Sequence, residues 1–509
     1  MNTAGWVFII GAGPGDPGLI TARGARLLAE ADVVVYDRDT EAVLRWARPD
    51  AERIGAGAPA ETDMAQDAIS MLLAEKARDG HVVARLKWGD AFVFDSGGKE
   101  ALFLHEQGVP FEVVPGVPLA IGATAYAGVP LSYPGAGDAI VLIRGYEEAS
   151  DTVPDVDWKA VARLDGTLVC YAGARQVPRV LRLLIGHGAQ PDASGAVIYH
   201  GTQPRQRTLT GSLQDLADAT EADSDNPPAI LVVGKVTRLR EHLRWFDERP
   251  LFGRRIVVTR SKEQARALVD ALEALGAETI EAPTFRLTPP DDPEAVERAA
   301  ASVDQYRWVI FESANSVARF LAAQGRGPRD LRAFGAVSLC AMGPSTADQL
   351  LQYGLKADVV LAEKGPEHVA EKLSAAGSLG GARVLIVRPD HERDATADEL
   401  RRRGAMVTDL VAYRTTSATP DSPEVQALYR MMLDGAVDAV TFTSPTAVRR
   451  LTGLLGAEQA ADLLNTTVVA AVGPVTAAAA REVGIRTTIV ADTFTIDGLV
   501  ESLVKHFGS

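Results

Sequence analysis

Short runs of aliphatic and β-branched residues alternate along the whole chain with Ala- and Leu-rich stretches of helical period. In the first half, strands are predicted at residues 7–10, 33–36, 82–86, 140–143, 168–171, 196–199 and 230–233. In the second half they are predicted at 256–259, 308–311, 337–340, 384–387, 439–442 and 468–471. Helices such as 263–275 and 396–403 fall between them. Strands alternating with helices predict α/β sheets, mostly parallel. The pattern is interrupted by a polar stretch at 147–157, a charged stretch at 237–254, and two Thr/Pro-rich extended segments at 283–292 and 411–423.

The last two segments occupy matching places in an internal repeat. Arg-Arg-Ile-Val-Val-Thr-Arg260 returns as Ala-Arg-Val-Leu-Ile-Val-Arg388, Gly276 as Gly404, and Arg286 as Arg414, all 128 positions apart. Phe311-Glu-Ser-Ala-Asn returns as Phe442-Thr-Ser-Pro-Thr, and Met342-Gly-Pro-Ser-Thr as Val472-Gly-Pro-Val-Thr, with the offset slipping to 130 or 131. A unit this long is no solenoid repeat. It predicts two similar α/β lobes joined by paired crossings, with a ligand in the cleft between them. The expected division is a first module at 1–245 (subdomains about 1–135 and 136–245) and a linker at 246–254. The second module, 255–509, would hold lobe A (about 255–284 plus 418–509) and lobe B (about 290–411).

Composition narrows the chemistry. A net charge of −15 argues against a nucleic-acid surface, so an anionic ligand would need a locally positive pocket. Cys170 and Cys340 lie in apolar runs and read as buried strand residues of a cytoplasmic protein. The eight histidines show no ligand spacing, so no metal site is expected. No run approaches the ~18 apolar residues that would span a membrane.

Gly11-Ala-Gly13-Pro14-Gly15-Asp16-Pro17 follows the first strand directly. It fits neither a dinucleotide fingerprint nor a P-loop, yet such a loop is rigid and brings backbone close to a partner. With Thr21-Ala-Arg-Gly24, Ala31-Asp-Val-Val-Val-Tyr-Asp37, Arg85-Leu-Lys-Trp-Gly-Asp90, Pro110-Phe-Glu-Val-Val-Pro-Gly116 and Gly201-Thr-Gln-Pro-Arg-Gln-Arg207, it resembles the uroporphyrinogen-III C-methyltransferases of the tetrapyrrole methylase family, over about residues 5–245. The resemblance implies two α/β domains, S-adenosylmethionine in the cleft between them, methylation of uroporphyrinogen III to precorrin-2, and a homodimer. It places Pro14, Gly89, Asp90, Val93 and Gly201 at the cofactor and Asp37 as a proton acceptor. It also exposes departures. The family's proton-donating lysine is Ala58, its first Gly-Gly-Asp glycine is Trp88, a threonine is Pro118 and a methionine is Ala172. Two readings follow for this half: a methyltransferase, or a non-catalytic docking or regulatory module.

Arg255-Ile-Val-Val-Thr-Arg260, Trp308-Val-Ile-Phe-Glu-Ser-Ala-Asn315, Met342-Gly-Pro-Ser-Thr346, Ala412-Tyr-Arg-Thr415, Asp438-Ala-Val-Thr-Phe-Thr-Ser444 and Val472-Gly-Pro-Val-Thr476 resemble uroporphyrinogen-III synthase over residues 251–509. That family closes hydroxymethylbilane, a linear tetrapyrrole with eight carboxylates, while inverting its last ring, and needs no cofactor. Each repeated motif puts a hydroxyl between a strand and a helix, where free N–H groups and the helix dipole favour carboxylates. Ser313, Ser345, Thr346, Ser444 and Thr476 are therefore candidate substrate contacts, joined by Arg260 and Arg388 at strand ends. Taken singly, each hydroxyl reads better as an ordinary N-cap, and the competing reading of each arginine is a solvated surface charge. Tyr413 matches the family tyrosine proposed to assist the leaving hydroxyl; the competing reading is a packed ladder residue.

Overall fold

The structure is a computed structural model. It describes residues 5–48, 50–56, 65–145, 155–173, 175–221, 227–259, 262–282, 285–327, 329–361, 365–390 and 395–508. The chain divides into two compact units. One comprises Met1–Arg254 with Leu272–Glu278 and His506–Ser509; the other comprises Arg255–Ala271 and Thr279–Lys505.

The first unit holds two five-stranded sheets. The first contains β1 (Trp6–Gly11), β2 (Val33–Tyr36), β3 (Glu52–Gly55), β4 (Val82–Lys87) and β5 (Phe111–Val114) in the order β3-β2-β4-β1-β5. All its pairings are parallel. Helices on both faces bury the aliphatic strands, as a parallel sheet requires. The second sheet contains β6 (Ala139–Arg144), β7 (Gly166–Gly173), β8 (Ser194–Tyr199), β9 (Arg207–Ser212) and β10 (Pro228–Val233) in the order β6-β7-β10-β8-β9. This sheet is the exception to the mostly parallel pattern of the chain. Only β6 and β7 run parallel, while β10 runs antiparallel to both β7 and β8, and β8 antiparallel to β9. Periodicity marks a strand but not its direction.

The helix Leu119–Tyr126 carries Gly122, whose missing side chain is structural: a Cβ there would lie 2.4 Å from Pro14 Cγ. Gly201 is packed as tightly, since its Cβ would meet Ala123 Cβ at 2.3 Å. The glycine loop after β1, this helix and the loop after β8 thus touch through small residues.

In the second unit, β11 (Arg255–Val258), β12 (Glu278–Glu281), β13 (Phe285–Thr288), β14 (Trp308–Phe311), β15 (Ser338–Met342), β16 (Val359–Leu361), β17 (Arg383–Pro389), β18 (Met406–Ser417), β19 (Ala439–Phe442), β20 (Val468–Ala471) and β21 (Ile489–Val490) form two sheets. Their orders are β12-β11-β19-β20-β21 and β13-β18-β17-β14-β15-β16. Each sheet joins the opening of one repeat copy to the close of the other. The two crossings pair antiparallel, Phe285 with Ser417 through Thr288 with Arg414. All other pairings recorded here are parallel. The pairing of β18 with β17 slips once: Arg388 aligns with Val411, but Pro389 aligns with Tyr413.

Gly122→Ala separates propensity from packing. Alanine favours a helix interior by about 1 kcal/mol over glycine. The contact with the rigid Pro14 ring should outweigh that gain, so the variant is expected to melt at a lower temperature than the parent by calorimetry; an unchanged or raised melting temperature would count against this packing.

Candidate functional sites in the two halves

In the first unit, Asp37 follows β2 and occupies the N-cap position of the 3-10 helix Arg38–Trp46. Its carboxylate does not cap that helix. It faces two buried cations, with Arg85 Nη2 at 2.6 Å and Lys87 Nζ at 3.0 Å. These alternate residues lie on one face of β4, the middle strand. Arg85 also meets Glu100, Nη2 to Oε1 3.1 Å, and Lys87 meets Asp95 at 2.8 Å and donates to Ser96 Oγ at 2.9 Å. Gln66 Nε2 donates to Glu100 at 3.0 Å. Burial works against both cations, but the carboxylates outweigh it and raise Arg85 and Lys87 above their ordinary values. Burial alone would raise Glu100, yet Arg85 and Lys87 hold it below the usual range. Burial dominates at Asp95, whose carboxyl is raised. The sequence reading missed this cluster. Its signal was present: two cations in the middle of an otherwise aliphatic strand demand buried partners.

The residues matched to the cofactor lie on the loops around the helix Leu119–Tyr126. Gly13 and Gly89 form a two-way backbone bridge, with N–H to carbonyl distances of 3.1 and 2.8 Å. Gly89 has φ +67°, which only glycine adopts easily. Asp90 accepts from the N–H groups of Gly116 at 2.9 Å and Phe92 at 2.8 Å, so its carboxylate shapes the loop. Val93 is half-buried beside the exposed Phe92 and Phe94. Trp88 donates its indole N–H to the Pro14 carbonyl at 3.2 Å and packs against the cluster of Leu119, Ala120 and Ala123. The protein therefore absorbs the added bulk. Pro118 precedes that helix as its N-cap, and Ala172 is buried in β7. Ala58 lies outside the described residues.

Asp16 and Pro17 have a local explanation. Asp16 caps the turn Pro17–Leu19 by accepting from Gly18 at 2.7 Å, and it accepts the Tyr126 hydroxyl at 2.7 Å. Its own N–H donates to Thr202 Oγ1 at 3.0 Å.

Among the described residues, three non-glycine residues hold positive φ: Phe94 (57°), His200 (49°) and Thr202 (68°). Such backbone strain collects at functional sites. The Thr202 N–H donates to Gln206 Oε1 at 2.8 Å, while Gln206 Nε2 is buried with no partner among the described residues. A ligand accepting hydrogen bonds fits this loop, and S-adenosylmethionine carries such acceptors.

In the second unit, the candidates lie at the carboxyl ends of parallel strands, where α/β sheets bind ligands. Ser313 follows β14 and caps the helix Ala314–Arg326, accepting from Ser316 N–H at 3.1 Å. Ser444 follows β19 and caps Pro445–Leu455, accepting from Ala447 N–H at 3.2 Å. Thr346 and Thr476 are not caps; glycines hold those positions, and both threonines are buried. Thr346 Oγ1 donates back to the Met342 carbonyl at 3.2 Å. Arg388 is no solvated charge. Asp409 binds it twice, at 2.5 and 3.1 Å, which cancels the positive charge the sequence reading wanted there. Arg260 and the Ser345 side chain lie outside the described residues.

Tyr413 is buried, only 5% exposed, among the core residues of this lobe. Its hydroxyl lies 3.0 Å from Ser313 Oγ, which lies 3.0 Å from Ser316 Oγ. The ladder and site readings of Tyr413 thus describe one residue: its ring packs and its phenol meets a helix terminus. Among the described residues, no hydrogen bond joins Ser444 or Thr476 to this trio.

No described helix is long and apolar enough to cross a membrane. Cys170 and Cys340 are buried, and burial pushes both thiols up to about 12.

Two α/β modules, each with candidate residues on the loops at its strand ends, define a two-module enzyme of tetrapyrrole biosynthesis once the relatives are considered. The tetrapyrrole (corrin/porphyrin) methylase model matches residues 7–217 and the uroporphyrinogen-III synthase model residues 266–501. A porphyrin biosynthesis protein HemD of Ruminiclostridium josui is 33% identical over 99% of this chain and 98% of its own. A uroporphyrinogen-III C-methyltransferase of Bacillus subtilis is 36% identical over 64% of this chain and 68% of its own. The solved uroporphyrin-III C-methyltransferase of Thermus thermophilus is 36% identical, covers 46% of this chain and all 100% of its own, and has a TM-score of 0.40. The chain belongs to the tetrapyrrole methylases through its first half and to the uroporphyrinogen-III synthases through its second.

Glu100→Gln tests the buried cluster. Breaking a buried ion pair costs about 3–5 kcal/mol. Because the folded Glu100 carboxyl is depressed, its contribution is full above its unfolded value of about 4.3 and fades as the pH falls through the folded one. Urea unfolding should show a large deficit at pH 7 that shrinks below about pH 4. A deficit independent of pH would mean that the loss is one of packing.

Proposed function

We propose that the second half closes hydroxymethylbilane to uroporphyrinogen III with inversion of the last ring. The observation that carries this is the Tyr413 phenol held 3.0 Å from the Ser313 hydroxyl at the carboxyl end of the sheet. The reaction removes water from the substrate's hydroxymethyl group and leaves a cation that the pyrrole nitrogen stabilises. Tyr413 gives the leaving oxygen its proton, the C–O bond breaks, and water departs. The final ring carbon loses a proton on closure, which restores the phenol. The other demand is to hold a flexible chain curled, and positioning supplies it. Ser313, Ser345, Thr346, Ser444 and Thr476 mark the strand-to-helix turns whose N–H groups receive carboxylates. Arg260 adds charge, whereas Arg388, tied to Asp409, orders the strand ends instead.

We infer that the first half methylates that product toward precorrin-2, as a cytoplasmic homodimer. S-adenosylmethionine, when bound, supplies an electrophilic methyl group. Pro14, Gly89, Asp90, Val93 and Gly201 hold it through the loops, with Gln206 as a further donor. Asp37 takes up the proton released by the tetrapyrrole, and Arg85 and Lys87 fix its carboxylate. The docking-module alternative gains no support from the relatives. The indole of Trp88 is accommodated by Pro14 and the adjoining helix.

Freshly made hydroxymethylbilane closes unaided to the type I isomer, so the protein should yield type III; only type I product would end the synthase reading. Tyr413→Phe should slow type III formation strongly, by about 100-fold, while Phe285→Tyr on the other crossing should not restore it in that background.

For the first half, titration calorimetry with S-adenosylmethionine should show saturable heat, and labelled methyl should appear in the tetrapyrrole. Binding without transfer would favour the docking module, and no heat at high ligand concentration would remove the cofactor as well.

A further inference from the structure

The hydroxyl of Ser313 has more to do than cap a helix. It accepts the Ser316 N–H at 3.1 Å, which uses one lone pair. Its one proton and remaining lone pair are shared between Ser316 Oγ and the Tyr413 phenol, both at 3.0 Å. Two chains satisfy this accounting. In one, Tyr413 donates to Ser313 and Ser313 to Ser316. In the other, Ser316 donates to Ser313 and Ser313 to the phenol oxygen. As Tyr413 gives up its proton, its oxygen gains negative charge, and of these two chains the second is the one in which Ser313 donates to it.

The repeat supplies an internal comparison. Ser444 caps its helix just as Ser313 does. Behind it, at the place of Ser316, stands Ala447, and at the place of Tyr413 the other crossing has Phe285. The cap is kept in both copies, but the second hydroxyl and the phenol occur together in one. A cap alone has no use for Ser316, whose side chain is fully buried inside the helix, where serine is a poorer helix former than alanine.

We propose that Ser313 is a positioning residue for Tyr413. Backed by Ser316, its hydroxyl turns to donate to the phenol oxygen as the phenol proton passes to the leaving hydroxyl. At rest either chain holds the phenol in place. This rests on the reading of Tyr413 as the proton donor. Charge-assisted hydrogen bonds are about twice as strong as neutral ones, so the contact strengthens as the barrier is climbed and acts on kcat rather than KM.

The experiment compares Ser313→Gly, Ser313→Thr, Tyr413→Phe and the Ser313→Gly/Tyr413→Phe double variant in the full chain, with hydroxymethylbilane as substrate. Glycine is nearly as good an N-cap as serine, so the helix is kept while the hydroxyl is lost. Ser313→Gly should lower kcat for type III product about tenfold with KM little changed. Ser313→Thr should keep most of the rate. In the Tyr413→Phe background the glycine substitution should cost nothing more, because the two groups act as one. An unchanged kcat in Ser313→Gly, or the same tenfold loss with and without the phenol, overturns the proposal. A parental rate in Tyr413→Phe overturns the Tyr413 reading itself. A slow Tyr413→Phe beside a parental Ser313→Gly leaves that reading standing and removes only Ser313.

Discussion

One extra residue in β18 governs the geometry of the second half. Along β17 the register advances residue for residue until Arg388 meets Val411; then Pro389 meets Tyr413 and Ala412 is passed over. A shift of one residue exchanges the two faces of a strand, so this slip decides which way the phenol points. Beyond it, the same strand leaves its parallel partner and pairs antiparallel with β13. The bulge thus separates the part of β18 that belongs to a lobe from the part that joins the two lobes, and Tyr413 sits at that junction.

The first half depends on a comparable constraint in its middle strand. Arg85 and Lys87 could not lie inside a parallel sheet without counter-charges, and Asp37, Asp95 and Glu100 supply them from three separate segments. The price of burying Arg85, Lys87 and Glu100 is accepted where the fold presents Asp37, which remains partly exposed. A carboxylate gripped on two sides keeps one orientation. Fixed orientation is worth more to a proton acceptor than mobility, since the transfer requires the right atom in the right place.

The two halves were legible to different depths. Alternation of strands and helices, the repeat and the two extended crossings gave the layout of the second half, because each is a periodic property of the chain. The strands β3, β5, β9, β12, β16 and β21 were not predicted, since strands with so few buried residues leave no pattern. The antiparallel β10 was recognisable as a strand, but its direction depends on partners far along the chain. Among site residues, Ser313 and Tyr413 were named separately from motifs. Their contact could not be foreseen, because it follows from a bulge that no residue type announces. Arg388 shows the converse: its strand-end position was readable, but Asp409, on the neighbouring strand, changes its meaning.

The loss of Arg388 as a free charge bears on how an acidic protein would hold the proposed substrate, with its eight carboxylates. A cluster of unpaired arginines would attract every polyanion and repel little. Helix termini offer less charge each, but their N–H groups are fixed in direction and reach only a ligand that fits. The repeat multiplies those termini by building the same strand-to-helix turn in both lobes. Its two crossings carry Phe285 and Tyr413 at matching positions. In the proposed function, duplication serves binding, which benefits from symmetry around a ring-forming chain. On the proposed reading, chemistry occurs at one end of that chain and needs only one phenol.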